Sequence, residues 1–141
     1  MEKQDRKLLI EDISARLPYG VYVEHVNSGF RSTLHNVVIF PRYDKNSIHD
    51  YEFSVDFFGD GDWLDISEFK PYLYPLSSMT EEQEMELEKI DPEYYTVIYD
   101  DGSVDVSSSI KVYDWLNKNH FDYRGLIEKG LANNATNKNV Y

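Results

Sequence analysis

FKPYLYPLSSMTEEQEMELEKI, residues 69–90, divides a strand-forming part of the chain from a part that contains helices. Pro71 and Pro75 lack an N–H and push the residue before each of them out of the helical region, so residues 69–75 are predicted to be extended. Two overlapping capping boxes follow, formed by Ser78 with Glu81 and by Thr80 with Gln83. The stretch therefore predicts an extended approach and then a helix that runs to about Ile90.

The residues before this stretch predict one helix followed by strands. Apolar side chains recur at Leu9, Ile13 and Leu17 behind Asp5, a candidate N-cap, and Pro18 stops the pattern. Strands are predicted at 21–26, 34–40, 51–57 and 63–66, where apolar residues alternate or run together. This half of the chain therefore reads as a helix and a four-stranded meander.

The residues after the stretch predict a hairpin and two further helices. Strands at 94–99 and 104–106 flank an Asp-Gly pair, which favours a tight hairpin turn. One helix follows the serines at 107–109 and carries a wide apolar face through Leu116. Asp122 is predicted to cap a short last helix that Gly130 closes.

These elements predict an α+β fold, in which an antiparallel sheet of about four to six strands is covered by an N-terminal helix and C-terminal helices. A chain of 141 residues is long enough for one ordinary domain and too short for two. We assign residues 1–132 to a single domain. Residues 133–141 are rich in asparagine, and we expect them to be a frayed C-terminal tail.

Composition excludes several classes of site. The chain has no cysteine, which removes disulfides, thiolate metal sites and cysteine nucleophiles. No stretch approaches the roughly 20 apolar residues of a membrane span, and the charged start lacks a signal-peptide core. We therefore expect a cytoplasmic protein that binds no membrane.

The net charge of −12 is concentrated in the middle of the chain. Residues 44–105 carry 18 acidic and 3 basic side chains, whereas the segments on either side are slightly basic. Such a field repels phosphate backbones, so direct nucleic-acid binding is not expected and a partner with a basic surface is favoured. Solubility alone is the competing explanation for the charge.

No group of residues has the pattern of an established catalytic or metal site, and we predict neither a cofactor nor a metal. The acidic run from Asp56 to Glu68 fails the calcium-loop template, because counting from Asp60 places Leu64 at the fifth position and Asp65 at the sixth. A looser calcium site in this turn is the alternative to a solvated turn.

A catalytic hypothesis rests on His120, Asp122 and Arg124, in which the imidazole would transfer protons and the guanidinium would hold an anion. The competing interpretation gives Asp122 to a helix cap and places His120 at a helix end. Arg124 would then pair with carboxylates of the acidic segment. No nucleophile converges on this cluster, so we predict no catalytic residue.

Three stretches resemble one family. They are ARLPYGV at 15–21, KPYLYPLSSMTEE at 70–82, and DWLN at 114–117 with HFDYRGLIEKGLA at 120–132. They are similar to small uncharacterised proteins of Bacteroidetes-type gut bacteria, often found in prophage and mobile-element regions. Tyr74 stands where the family pattern has a basic residue. The resemblance implies a phage or mobile-element context and no catalytic activity.

Charge and resemblance together predict a non-enzymatic protein-binding module that acts on a host or phage protein with a basic surface. The candidate partner-binding residues are Glu82, Glu86, Tyr72, Tyr74 and Arg124. One alternative is an acidic mimic of nucleic acid, which needs the carboxylates of 81–93 and of 60–65 on one exposed face. The other is an enzyme that uses the His120 cluster.

Overall fold

A computed structural model describes residues 1–34, 36–41, 51–55, 64–101, 103–107 and 109–141. The chain forms two compact units, 1–71 and 72–141. Assignment of residues 1–132 to a single domain stays a prediction.

The first unit begins with helix α1, Lys3–Arg16, and a 3-10 turn at Leu17–Tyr19. Strands β1, Tyr22–His25, and β2, Arg31–Thr33, pair antiparallel. A second group comprises β3, Val37–Pro41, β4, Tyr51–Val55, and β5, Leu64–Asp65, which also pair antiparallel. Asp5 lies in the first turn of α1 and Glu2 occupies the N-cap, so the predicted cap is wrong. The helix begins earlier because no breaker precedes Lys3.

Strand β6, Phe69–Pro75, is the extended approach predicted from the two prolines. Its first residues pair antiparallel with β1, and its later residues pair parallel with β9 and β10 in the second unit. Five strands are therefore joined through β6, within the predicted four to six, and the sheet is mixed. A proline inside a paired strand is unusual, since it cannot donate to the ladder.

The pleat of β6 explains how it accommodates its prolines. Main-chain groups of successive residues point to opposite edges of a strand, so Pro71, Leu73 and Pro75 share one edge. The Tyr74 N–H, on the other edge, donates to the His120 carbonyl at 2.8 Å, and the Leu73 carbonyl accepts from the Ala135 N–H at 2.8 Å. The strand thus uses the carbonyl of Leu73 on the edge where the prolines lack donors.

The second unit contains helix α2, Glu81–Ile90, the hairpin β7, Tyr95–Ile98, with β8, Val104–Ser107, and helix α3, Ile110–Lys118. Short strands β9, Phe121–Asp122, and β10, Asn133–Asn134, follow. Thr80 and Gln83 form the capping box at the start of α2, which confirms the second of the two predicted registers. Leu87, Val112, Leu116, Phe121 and Tyr123 form the buried core of this unit.

The predicted last helix is wrong. Residues 123–132 form bends and turns, because Gly125, three residues after Asp122, adopts a left-handed φ of 73° that interrupts a helix. Gly130, with a left-handed φ of 71°, closes the turn that follows. Asp122 still caps backbone groups, as its two carboxylate oxygens accept from the N–H groups of Leu126 at 2.9 Å and Ile127 at 2.8 Å.

The end of the chain is packed against the second unit. Asn133 and Asn134 pair with β6, Ala135 is fully buried, and the Tyr141 hydroxyl donates to the Tyr72 carbonyl at 2.7 Å. The frayed tail predicted for 133–141 does not match these contacts. Asparagine content was a poor guide, since the tail is held by its backbone and by its final tyrosine.

The α+β prediction is confirmed, with α1 at the N-terminus, two helices in the second unit and mostly antiparallel strands. Within the part of the chain that the structure describes, no helix has the length and apolarity of a membrane span.

Asp12 and Arg16 on α1 form an ion pair whose side chains are both fully buried. The carboxylate accepts from Nε at 2.8 Å and from Nη2 at 2.9 Å. Buried charges depend on such partners, because their desolvation costs several kcal/mol. Both residues belong to α1, so the pair links two successive turns and neutralises two charges on the buried face of the helix.

Asp12→Ala is expected to lower the free energy of unfolding by about 3–5 kcal/mol, since it leaves a buried guanidinium with fewer hydrogen bonds. Urea denaturation followed by circular dichroism measures this. Glu11→Ala is the control, because Glu11 contacts Lys7 at 3.8 Å on the exposed face and its loss should cost less than about 0.5 kcal/mol. Equal losses of unfolding free energy in Asp12→Ala and Glu11→Ala would contradict the buried Asp12–Arg16 ion pair. If Asp12→Ala does not fold, the double variant Asp12→Leu, Arg16→Met should fold.

Candidate functional site

Helix α2 presents most of its carboxylates to solvent. Its single fully buried residue is Leu87, which packs in the core of the second unit. The glutamates on the remaining surface are exposed: Glu81, Glu82, Glu84, Glu86 and Glu88. Three of them lie in the first turn, where the helix dipole stabilises negative charge. The helix thus carries a dense acidic face whose side chains can reach a partner.

Glu86 differs from Glu82 because it has a structural contact. Its carboxylate accepts a 3.0 Å hydrogen bond from the Trp115 indole, and that indole stacks on Phe121 with ring centroids 5.7 Å apart. Substitution of Glu86 would therefore disturb the packing of α3. Glu82 is the cleaner probe of the acidic face.

The β7–β8 hairpin adds exposed aromatic side chains that are not among the predicted partner-binding residues. Alternation along β7 places Tyr95 and Val97 on one face, with exposed fractions of 58% and 37%, and Tyr99, which follows the strand, is 48% exposed. The Tyr99 hydroxyl donates to Asp105 at 2.7 Å, and this hydrogen bond is the main cause that raises the Tyr99 pKa. The outer face of the hairpin is therefore both aromatic and acidic.

The acidic face of α2 lies beside the start of this hairpin. Burial raises the pKa of Tyr94, and the charges of Glu84 and Glu88 raise it further. Those carboxylates are thus close enough to act on a residue next to β7. Tyr94 packs against the core, so the exposed side chain of its neighbour Tyr95 points to the other face of the strand. The term acidic-aromatic surface is used below for two exposed parts of the second unit, the glutamates of α2 and the hairpin residues Tyr95, Val97 and Tyr99.

The other predicted partner-binding residues lie in different surroundings. Tyr72 is 3% exposed, so its side chain is not available to a partner. Tyr74 is half-buried and its ring lies 6.1 Å from that of Phe121 and 6.0 Å from that of Tyr141. The Arg124 guanidinium lies 4.4 Å from the centroid of the Tyr123 ring, a cation–π distance. Tyr74 is thus linked to Glu86 through the rings of Phe121 and Trp115. The Tyr72 carbonyl and the Arg124 guanidinium contact Tyr141 and Tyr123.

The His120 cluster is built into the packing. His120 has a left-handed φ of 61° at the end of α3, and its ring stacks on Tyr141 with centroids 3.6 Å apart. Asp122 is 6% exposed and directs both oxygens to backbone N–H groups. Together with the contact of Arg124 with Tyr123, these interactions give all three side chains of the catalytic hypothesis structural roles.

Asp65 belongs to the acidic run in which a calcium site was considered. Arg6 donates to its two oxygens from Nη1 at 2.6 Å and from Nη2 at 2.8 Å. Burial raises the pKa of Asp65, but hydrogen bonds from Arg6 and Ser67 and the charge of Arg6 outweigh it, so the pKa is lowered from 3.8 to about 2. The carboxylate is occupied by a cation of the chain itself.

The remaining aspartates of the calcium hypothesis, Asp56, Asp60 and Asp62, lie outside the described residues. Glu68, the last member of the run, closes the capping box of the 3-10 turn that follows Asp65. Among the residues with described positions, no three His, Asp or Glu side chains are grouped to hold a metal ion.

His25 contacts Ser28 and Glu68, a combination the sequence did not reveal. Nδ1 lies 2.7 Å from the Ser28 hydroxyl, and Nε2 lies 3.6 Å from the Glu68 carboxylate. Such a trio has the members of a nucleophile–base–acid set, but its contacts close a turn. Ser28 Oγ also accepts from the Phe30 N–H at 3.3 Å, and Asn27 donates to Glu68 at 2.8 Å. The trio joins the β1–β2 connection to the 3-10 turn before β6.

No family model, curated protein or solved structure matches this chain. The resemblance to small proteins of gut-bacterial mobile elements therefore stays a prediction, and arguments about function depend on the geometry above.

The Arg6–Asp65 pair predicts a pH-dependent contribution to stability. A depressed folded-state pKa gives stabilisation that is complete above the unfolded pKa and is lost as pH falls through the folded value. The difference in unfolding free energy between the protein and Asp65→Asn should be constant above about pH 4 and shrink towards pH 2. Because the Asp65 side chain is 35% exposed, we expect the change to be about 1 kcal/mol. Urea titrations from pH 6 to pH 2.5 measure it, and a constant difference would contradict the pairing.

The packed tail predicts that its last residue stabilises the fold. Tyr141→Phe should cost about 1 kcal/mol through the lost hydrogen bond to Tyr72, and Tyr141→Ala about 2 kcal/mol, because the stacking on His120 is also lost. Thermal and urea denaturation compare these variants with Lys138→Ala, an exposed change in the same tail. If all three variants have the same unfolding free energy as the unmodified protein, the tail does not pack against β6 in solution.

Proposed function

We propose that the chain is a non-enzymatic protein-binding module that acts on a host or phage protein with a basic surface, in the phage or mobile-element context that its resemblance implies. The exposed glutamates of α2 are the observation that carries this proposal. The helix is capped and anchored through Leu87, so its carboxylates are held on a fixed scaffold. A rigid acidic face attracts and orients a cationic partner.

The tyrosines of the hairpin support the same function. Tyrosine contributes large contact area with few rotatable bonds and is enriched at the centres of protein interfaces. Tyr95 and Tyr99 are exposed, and Tyr99 is hydrogen-bonded to the Asp105 carboxylate, an arrangement that suits lysine and arginine side chains through both charge and cation–π contact. The acidic-aromatic surface is therefore the proposed partner-binding face.

The nucleic-acid mimic has less support. It requires the carboxylates of 60–65 beside those of 81–93, but Asp65 is paired with Arg6 and residues 60–63 lie outside the described residues. The enzyme hypothesis also has less support, because the His120 cluster is occupied by stacking and backbone contacts. Protein binding needs neither arrangement.

Charge reversal on α2 tests the proposal. Tagged protein, Glu82→Lys and Glu11→Lys are used to capture partners from host lysate at low and high salt, and a captured partner is then purified for titration calorimetry. Glu11 is a matched control, since it is an exposed helical glutamate in the first unit. We expect Glu82→Lys to weaken binding about tenfold at low salt and Glu11→Lys to weaken it less than about twofold.

A partner that binds both lysine variants as tightly as the unmodified protein would contradict a role for the acidic face. A partner whose affinity does not fall with salt would contradict the charge-based mechanism, because interactions between exposed charges are screened within about 8 Å at physiological ionic strength.

A further inference from the structure

The β7–β8 hairpin of the second unit is a sheet of two strands. Among the strands that the structure describes, β7 and β8 pair with no strand except each other. A hairpin alone is at best marginally stable in water, and a third strand or a packed layer stabilises it. Tyr94 and Val106 pack against the core of this unit and hold part of one face. The two outer edges of the hairpin are therefore the places where a further strand can pair.

The register shows which main-chain groups lie on the outer edge of β7. The Tyr99 N–H donates to the Ser103 carbonyl at 2.9 Å. Opposite residues of an antiparallel pair alternate between bonded and non-bonded, so Val97 bonds across to β8, whereas Thr96 and Ile98 direct their N–H and carbonyl groups outward. Among the residues with described positions, none pairs with this edge. The edge of β7 therefore offers backbone donors and acceptors to another chain.

The outer edge of β8 differs, because helix α3 contacts it. The same alternation directs the carbonyl of Val106 to this edge. That carbonyl accepts a 2.7 Å hydrogen bond from the hydroxyl of Tyr113, a residue of α3. The edge of β7 is thus the more accessible of the two.

Side chains beside the open edge are exposed on both faces of β7. Val97, Ile98, Tyr99 and Asp100 follow one another in the chain, and all four are exposed. Because successive side chains of a strand point to opposite faces, the described residues bury neither face at this end of β7. Such an edge is a template for pairing with another chain. A further strand can therefore lie beside β7 without displacing a buried side chain.

The charge around the hairpin indicates what kind of chain pairs there. Residues 95–107 contain three aspartates and no lysine, arginine or histidine. Carboxylates of α2 are close enough to act on Tyr94, and the charge of Lys129 acts only at the turn, on Asp101. A second copy of this chain would bring the same aspartates to the edge, and like charges across paired strands are destabilising. Charge complementarity therefore favours a basic segment of another protein.

We propose that the edge of β7 binds an extended basic segment of the protein partner as an antiparallel third strand. The main chain of that segment would bond to Thr96 and Ile98, the mode known as β-strand addition. Its lysine and arginine side chains would lie on the face of Tyr95, Val97 and Asp105, which offers a ring and a carboxylate, and its apolar side chains on the face of Ile98. This inference rests on the proposed function, because it names how the basic partner binds.

Nuclear magnetic resonance titration and amide hydrogen exchange of the full chain test the edge without the partner. The probe is the peptide acetyl-Arg-Val-Lys-Val-Arg-Val-Lys-amide, which alternates basic and β-branched residues. One control peptide is N-methylated at its valines, whose N–H groups would face β7 when their side chains lie on the face of Ile98. The second is N-methylated at its basic residues, whose N–H groups would face away. A third has glutamate in place of lysine and arginine.

We expect the basic peptide to shift the Thr96 and Ile98 amides saturably and to slow their exchange, with a smaller change at Val97, which is already paired. Methylation of the valines should weaken binding about tenfold, and methylation of the basic residues less than about twofold. The glutamate peptide should not bind. Shifts confined to α2, or an equal or reversed effect of the two methylation patterns, would overturn the proposal. Exchange at Thr96 and Ile98 that slows as the concentration of the free protein rises would overturn it in favour of a second copy.

A pair of variants tests the same edge from the side of the protein. Ile98→Pro removes one outward N–H and leaves the cross-strand partners of β7, since proline is tolerated where the N–H of an edge strand faces solvent. Ile98→Ala also removes the side chain but keeps the N–H. The basic peptide should bind Ile98→Pro at least about threefold more weakly than Ile98→Ala. Equal affinities would contradict main-chain pairing, and the methylated peptides decide the matter if Ile98→Pro loses the hairpin.

The two proposals fail separately. If the basic peptide binds the β7 edge as expected but Glu82→Lys leaves partner affinity unchanged, the acidic face of α2 is not the interface. If Glu82→Lys weakens the partner but neither peptide nor partner slows exchange at Thr96 and Ile98, the partner binds without adding a strand.

Discussion

Main-chain pairing of one strand is the constraint on which the fold depends. Strand β6 satisfies backbone groups of β1 in the first unit and of β9 and β10 in the second. Buried backbone groups must be paired, so a strand with partners along its whole length fixes where those elements lie within each unit. Strand β6 pairs along its length although Pro71 and Pro75 have no backbone N–H to donate. The alternation of the pleat leaves the Tyr74 N–H free to bond on the other edge.

Local chemistry made some of this predictable. Thr80 and Gln83 have the spacing of a capping box, and the start of α2 follows from residues within one turn. The role of β6 was not predictable in the same way, because strand pairing joins residues far apart in sequence. Its prolines correctly indicated an extended chain, but they also argued against a paired strand. A last helix was predicted because Asp122 can act as an N-cap, and the prediction is wrong because Gly125 adopts a left-handed φ angle.

The residues of the candidate surface also differ in how far the sequence could predict them. The exposed glutamates of α2 follow from composition and helical periodicity, so Glu82 could be selected from the sequence. The hairpin of Tyr95 and Tyr99 follows from the Asp-Gly pair, but the exposure of both side chains depends on which elements pack against the hairpin, which the sequence does not show. Tyr72 and Tyr74 look equivalent to them in the sequence, yet pairing of β6 draws the first into the interior.

Amide hydrogen exchange tests the central role of β6 most directly. The amides of Tyr74 and Ala135 donate across the two edges of the strand, so the account predicts that both exchange about as slowly as the core amides of α3. Exchange of Tyr74 and Ala135 at the rates of exposed loop amides, while α3 remains protected, would contradict it. That result would mean that β6 does not hold β9 and the tail in place.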